Sequence, residues 1–193
     1  MLSKDWKKEI FTIPNLLSLF RLVLIPVYVA IYLNASSTTD YYLAAGILAV
    51  SCLTDLIDGK IARRFNLITS LGKVLDPVAD KATQFTLIVC LTIKYNVLKY
   101  LIVLFVLKEG FQLIAGGIKY HNGQMLKGAL ISGKICTTVL FLSLIAMVML
   151  PGLKESTVNI IVIIDSVFML LAFINYIVAY FFRASEFDVI EKK

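Results

Sequence analysis

Four aspartates stand in two close pairs, Asp55 with Asp58 and Asp76 with Asp80, inside the stretch DLIDGKIARRFNLITSLGKVLDPVAD that runs from residue 55 to residue 80. Spacings of three and four residues put each pair on one helix face, its members about 60° and about 40° apart at about 100° per residue. The flanking segments are as apolar as a bilayer-spanning helix. A carboxylate deep in a membrane costs about 2.5–3.5 kcal/mol on insertion scales, and four together repel one another. Three remedies are open: protonation, pairing with arginine or lysine, or a divalent cation. Clustered carboxylates with few neutral nitrogen ligands suit a hard cation such as Mg2+, Mn2+ or Ca2+. The single histidine, His121, argues against a zinc site. Gly59 removes a side chain where a ligand would approach the helix, and Arg63, one turn further on, suits phosphate. Metal ions bridging a diphosphate while a carboxylate activates a hydroxyl would serve phosphoryl-type transfer. The competing structural reading makes the four aspartates interfacial caps and salt-bridge partners.

The elements that must position these residues are apolar almost throughout. Of 193 residues, 59% are hydrophobic and 17% charged, and the mean hydropathy is +0.85, which points to the membrane class. Six apolar runs, at about 15–33, 41–62, 73–94, 98–119, 129–150 and 158–182, are each long enough to cross a hydrocarbon core of about 30 Å. The expected fold is therefore an all-α integral membrane protein with six transmembrane helices, forming a single membrane domain over 1–193 with no soluble one. The first segment, MLSKDWKKEIF, sets Trp6, Ile10 and Phe11 among Lys4, Lys7 and Lys8. It reads as a short amphipathic helix over 1–12 lying in the interface, or as a basic tail, and not as a cleaved signal peptide. The first aspartate pair closes the second span and the second pair opens the third, so a hairpin at Phe65–Leu71 would bring the pairs together. Cys52, Cys90 and Cys136 fall inside apolar runs and read as small buried hydrophobes. NASSTTD (34–40), HNGQ (121–124) and PGLKEST (151–157) read as polar turns.

Charge sets the orientation. Twelve basic residues lie on the N-terminal segment, the second and fourth connections and the tail, among them Lys4, Arg63, Arg64, Lys119 and Arg183. The other three connections hold only Lys94, Lys99 and Lys154. The positive-inside rule places both termini and the aspartate hairpin in the cytoplasm. The net charge of +6 is then topology and attraction to anionic lipid. No basic surface interleaved with aromatics argues for nucleic acid.

The pattern Asp55-x2-Asp58-Gly59-x2-Ala62-Arg63-x8-Gly72-x3-Asp76-x3-Asp80 matches, without a gap, the signature of the CDP-alcohol phosphatidyltransferases. Six spans and the TIPNLLSLFR opening of the first (12–21) extend the resemblance, and that opening looks like the one of phosphatidylglycerophosphate synthases and of the cardiolipin synthases of the same fold. The resemblance implies transfer of a phosphatidyl group from CDP-diacylglycerol to an alcohol, with release of CMP. It implies two divalent ions, Mg2+ or Mn2+, held by Asp55, Asp58 and Asp76 with Asp80 at the same site, and Asp80 as the general base. It gives Asp55, Gly59, Ala62, Arg63 and Gly72 to CDP-diacylglycerol binding. It also implies a homodimer in a bacterial cytoplasmic membrane, with the site open to the cytoplasm. Among other classes, an intramembrane cation transporter would set its aspartates nearer mid-bilayer.

The acceptor is less well marked. Glycerol 3-phosphate, the first candidate, is a small anion and needs cations. Arg21, Lys81, Lys108 and Lys134 are available, with Asn15 of the first span as a helix-terminus element or a substrate contact. Lys108 is a substrate ligand or half of a structural ion pair; Glu109 is not its expected partner, because adjacent helical residues point about 100° apart. Phosphatidylglycerophosphate synthases carry Arg-Glu in the fourth span and a second arginine eight residues after the first. Here those positions are Lys108-Glu109 and Gly116. Cardiolipin synthases of this fold also lack that second arginine, which makes phosphatidylglycerol the alternative acceptor. Asp165 reads as a local hydrogen-bonding or dimer-contact residue rather than a catalytic one, and Gly116 and Gly117 as sites of close helix packing.

Overall fold

Proline at residue 14 needs no amide partner in the first turn of a helix, and the first helix, α1, opens there and runs over Ile13–Leu33, continuing through Pro26. The computed structural model describes residues 12–64, 69, 72–126, 128–183 and 186–189, without the side chains of 55, 56, 58–63, 73, 74 and 189. The interfacial helix expected over 1–12 thus lies outside the described residues save for Thr12. The turn at Phe65–Leu71 does so save for Thr69, and so do the side chains of Asp55, Asp58, Gly59, Ala62 and Arg63.

The second helix, α2 (Thr38–Arg64), starts on a reciprocal cap. The Ser37 amide donates to Asp40 Oδ2 at 2.8 Å, and the Asp40 amide donates to Ser37 Oγ at 3.3 Å, so two orphan amides of the first turn are satisfied. The Ser36 and Ser37 amides hold the Asp40 carboxyl below its ordinary range. Helix α3 (Gly72–Lys94) and a 3-10 turn at Asn96–Leu98 lead to α4 (Lys99–His121). That helix ends at Asn122, and Gly123 takes φ 75°, a left-handed conformation that glycine adopts without steric cost. Strand β1 (Gln124–Leu126), α5 (Ile131–Met149), α6 (Glu155–Phe182) and β2 (Phe187–Val189) complete the chain. The six helices among the described residues fall on the six apolar runs. Among the described residues four segments, Ile13–Leu33, Asn96–His121, Ile131–Met149 and Glu155–Phe182, are long and apolar enough to cross a membrane. The other two helices, α2 and α3, are those that carry the 55–80 stretch.

The chain falls into two compact units. One holds the described residues up to Leu91 together with Ile145–Gly152. Here α1 and α2 lie along one another, with the small residues Ala44 and Ala45 buried on α2. Tyr28, Tyr32 and Tyr41 form an aromatic run with ring centroids 5.6 Å apart at each step.

The other unit holds Thr92–Leu144 and the described residues from Leu153 onward. Its helices α4 and α6 meet at Phe111, which lies 5.5 Å from Phe173 and 5.9 Å from Tyr180. A cluster of Leu130, Tyr176, Ala179, Tyr180 and Phe187 closes one end. There β1 and β2 pair antiparallel, Met125 opposite Asp188, and Lys119 Nζ lies 4.8 Å over the Phe187 ring. Two glycines of this unit admit tyrosine hydroxyls. A Cβ on Gly133 would collide with the Tyr176 ring, and one on Gly116 would meet Tyr180 Oη at 3.2 Å. Close packing therefore holds at Gly116, whereas Gly117 faces open space because it falls on the outward side of α4. Cys90 and Cys136 are buried and Cys52 half-buried, each as a thiol.

Candidate active site on helices α1 and α3

The opening of α1 carries three polar side chains in an otherwise apolar helix, Asn15, Ser18 and Arg21. Spacings of three residues place them along one face, and all are buried, at 1%, 0% and 2% exposure. Taking such groups out of water is costly unless each finds a partner. The partners are Thr69, ahead of α3, and residues of α3 itself. Asn15 Nδ2 donates to Thr69 Oγ1 at 2.9 Å, and the Gly72 amide donates to the same oxygen at 2.9 Å. Thr69 thereby satisfies an amide at the start of α3 as a capping hydroxyl does. One step further, Ser18 Oγ donates to Asp76 Oδ1. One step further again, Arg21 Nη1 bonds Asp80 Oδ1 as an ion pair. Residue numbers rise together on both sides, so α1 and α3 run in the same direction, the i, i+3 row of one facing the i, i+4 row of the other.

Gly72 is the close approach that allows this register. A Cβ there would lie 2.6 Å from Asn15 Oδ1 and 3.0 Å from Thr69 Oγ1. The resemblance gave Gly72 to the CDP moiety; the structure gives it a packing constraint of its own, because the Asn15 carboxamide fills the space a side chain would need.

The donors on α3 suit a hard cation. Asp76 and Asp80 offer oxygen only, one turn apart. Asp76 keeps one oxygen on Ser18, and its Oδ2 has no hydrogen-bond partner among the described residues. Among the described residues no three potential ligands converge; the other two carboxylates of the motif, Asp55 and Asp58, have their side chains outside that set.

Of the residues picked from sequence, the structure brings together Asn15, Arg21, Gly72, Asp76 and Asp80, with Lys81 half-buried beside the last. Lys108 and Lys134 belong to the second unit. Lys134 is exposed. Lys108 is buried and does pair with its neighbour: Nζ lies 2.7 Å from Glu109 Oε1. The expectation that these two would not meet is corrected, because helical direction fixes the Cβ atoms only and a four-carbon arm can fold back across 100°. The same ammonium sits 6.0 Å from the Tyr176 ring centroid. Asp165 is buried and accepts a hydrogen bond from Ser143 Oγ at 3.0 Å, the local hydrogen bond expected of it. Ser18 and Thr69 are the site residues that sequence reasoning passed over. The polar row at 15, 18 and 21 was the available signal for Ser18.

Comparison with known proteins places the same residues in context. The profile of the CDP-alcohol phosphatidyltransferase family matches residues 11–181. A cardiolipin synthase (CMP-forming) of Streptomyces coelicolor is 35% identical over 118 residues, 60% of this chain and 54% of that protein. A CDP-diacylglycerol--glycerol-3-phosphate 3-phosphatidyltransferase of Rickettsia felis is 42% identical over 86 residues, 44% of this chain and 46% of that one. Its namesake in Escherichia coli strain K12 is 43% identical over 86 residues, 45% and 47% of the two chains. The chain thus spans about half the length of these curated relatives.

Proposed function

The chain belongs to the CDP-alcohol phosphatidyltransferase family, and we propose that it transfers a phosphatidyl group from CDP-diacylglycerol to an alcohol, with release of CMP. The observation that carries this reading is the α1–α3 register, in which buried Ser18 and Arg21 hold Asp76 and Asp80 one turn apart on α3. Asp80 takes the proton of the acceptor hydroxyl. The acceptor oxygen then bonds to the phosphatidyl phosphorus, and the bond from that phosphorus to the CMP oxygen breaks. Asp55, Asp58, Asp76 and Asp80 would hold the two divalent ions, Mg2+ or Mn2+, whose charge offsets that of the diphosphate. Gly59, Ala62, Arg63 and Gly72 are assigned to the CDP moiety through the family motif.

Glycerol 3-phosphate is the acceptor we put first, with Lys81 beside Asp80 as the cation for its phosphate; the names of the relatives from Rickettsia felis and Escherichia coli support it. Phosphatidylglycerol is the second reading. It is favoured by the longer match to the Streptomyces protein and by Gly116, where the space beside the backbone is taken by the Tyr180 hydroxyl.

The membrane arrangement we propose has six spans. Because α1 and α3 run in the same direction, α2 must return between them, and its 27 residues reach about 40 Å at about 1.5 Å each. Charge supports termini and active site on the cytoplasmic side of a bacterial cytoplasmic membrane, and the family resemblance supports a single domain that forms a homodimer.

The test is to give purified protein CDP-diacylglycerol and Mg2+ or Mn2+, and offer glycerol 3-phosphate and phosphatidylglycerol in turn. CMP release and mass spectrometry of the lipid product decide the acceptor. No CMP release with either acceptor would overturn the transferase reading in favour of a transporter or scaffold.

A further inference from the structure

Arg21 and Asp80 form an asymmetric pair. The arginine side chain is 2% exposed and the aspartate side chain 44% exposed. The cation therefore grips the carboxylate from the buried side while the carboxylate keeps a face to the outside. An exposed aspartate on a helix would otherwise move among rotamers. A proton acceptor must stand within hydrogen-bond reach of the hydroxyl it serves, and a misplacement of about 1 Å can cost about 100-fold in rate. A guanidinium suits the task of fixing it, being planar, permanently charged and rigid in its fork. The neighbouring rungs, Ser18 to Asp76 and Asn15 to Thr69, hold α1 at the register that presents Arg21 to Asp80. The same burial makes Arg21 a poor contact for an incoming acceptor, the role its charge alone suggests.

We infer that Arg21 is a positioning residue for Asp80 and not a ligand of the acceptor. The inference rests on the transferase reading for its kinetic consequence and on the ion pair alone for its structural one, so two measurements separate them. In steady-state transfer, Arg21→Gln lowers kcat by about 10–100-fold, leaves KM for glycerol 3-phosphate or phosphatidylglycerol within about threefold, and is partly rescued in Arg21→Lys. A rise of about tenfold or more in the acceptor KM at unchanged kcat overturns the inference, since that is what loss of an acceptor ligand does. Independently of turnover, thermal unfolding of the wild type, Arg21→Gln, Asp80→Ala and the double variant forms a cycle. The double variant is expected to melt at least about 3 °C above the temperature that adding the single shifts predicts. Additive shifts overturn the inference even if CMP is released. A coupled cycle without CMP release from the wild type keeps the pair and sinks the transferase reading instead.

Discussion

Asp76 on α3 and Asp165 on α6 are both carboxylates on apolar helices, and both accept a serine hydroxyl, from Ser18 and from Ser143. The likeness ends there. Asp76 has a second acid one turn on, and the helix that supplies Ser18 supplies Arg21 to that acid as well. Asp165 stands alone, 1% exposed, and its Oδ2 has no partner among the described residues. A row of polar groups answered by another row fixes a register, each rung setting the next. A single acid answered by a single hydroxyl is a local hydrogen bond.

Four substitutions sharpen or break this contrast. The largest effect is expected of Asp80→Asn, which removes the proposed general base, a role worth about 100- to 10,000-fold, and should leave CDP-diacylglycerol binding largely intact; normal turnover in a CMP-release assay would refute the base assignment. Next comes Ser18→Ala. If Ser18 orients a metal-binding carboxylate, Mn2+ affinity read by electron paramagnetic resonance falls about 10–100-fold and returns in Ser18→Thr; an unchanged affinity would reduce Ser18 to a packed polar group. Gly72→Ala forces a Cβ against Asn15 Oδ1 and should cost about 1–3 kcal/mol, read as a fall in melting temperature. A neutral result there would show that the Asn15 rung is slack. The smallest effect belongs to Asp165→Asn, which keeps the acceptor for Ser143 and should hold CMP release within about threefold of wild type with no loss of melting temperature. A collapse of activity would place α6 in the chemistry and erase the contrast.

Much of this was legible in the sequence, and the gaps have physical causes. Helix positions follow from apolar length, so α1 at Ile13–Leu33 and α6 at Glu155–Phe182 lie within a few residues of the runs at 15–33 and 158–182. The aspartate spacing announced a shared face on α3. The partner of that face did not announce itself, since which two helices touch is a tertiary fact and a serine in an apolar run is unremarkable alone. Thr69 lay hidden for a similar reason: its hydroxyl serves a carboxamide 54 residues away. NASSTTD read as a polar turn, although Ser37 and Asp40 at a spacing of three form the cap that starts α2. The pairing of β1 with β2 joins three-residue strands, too short for any alternation to be seen.

The pair that joins α1 to α3 also imposes an order of assembly. Arg21 precedes Asp80 by 59 residues, roughly 3–12 s of synthesis at about 5–20 residues per second. Through that interval α1 carries an arginine whose α3 partner does not yet exist, a burden of about 2.5–3.5 kcal/mol for an arginine at a bilayer centre. Arg21 thus ties α1 to an element made later, and the α1–α3 register is complete only once Asp80 has been synthesised.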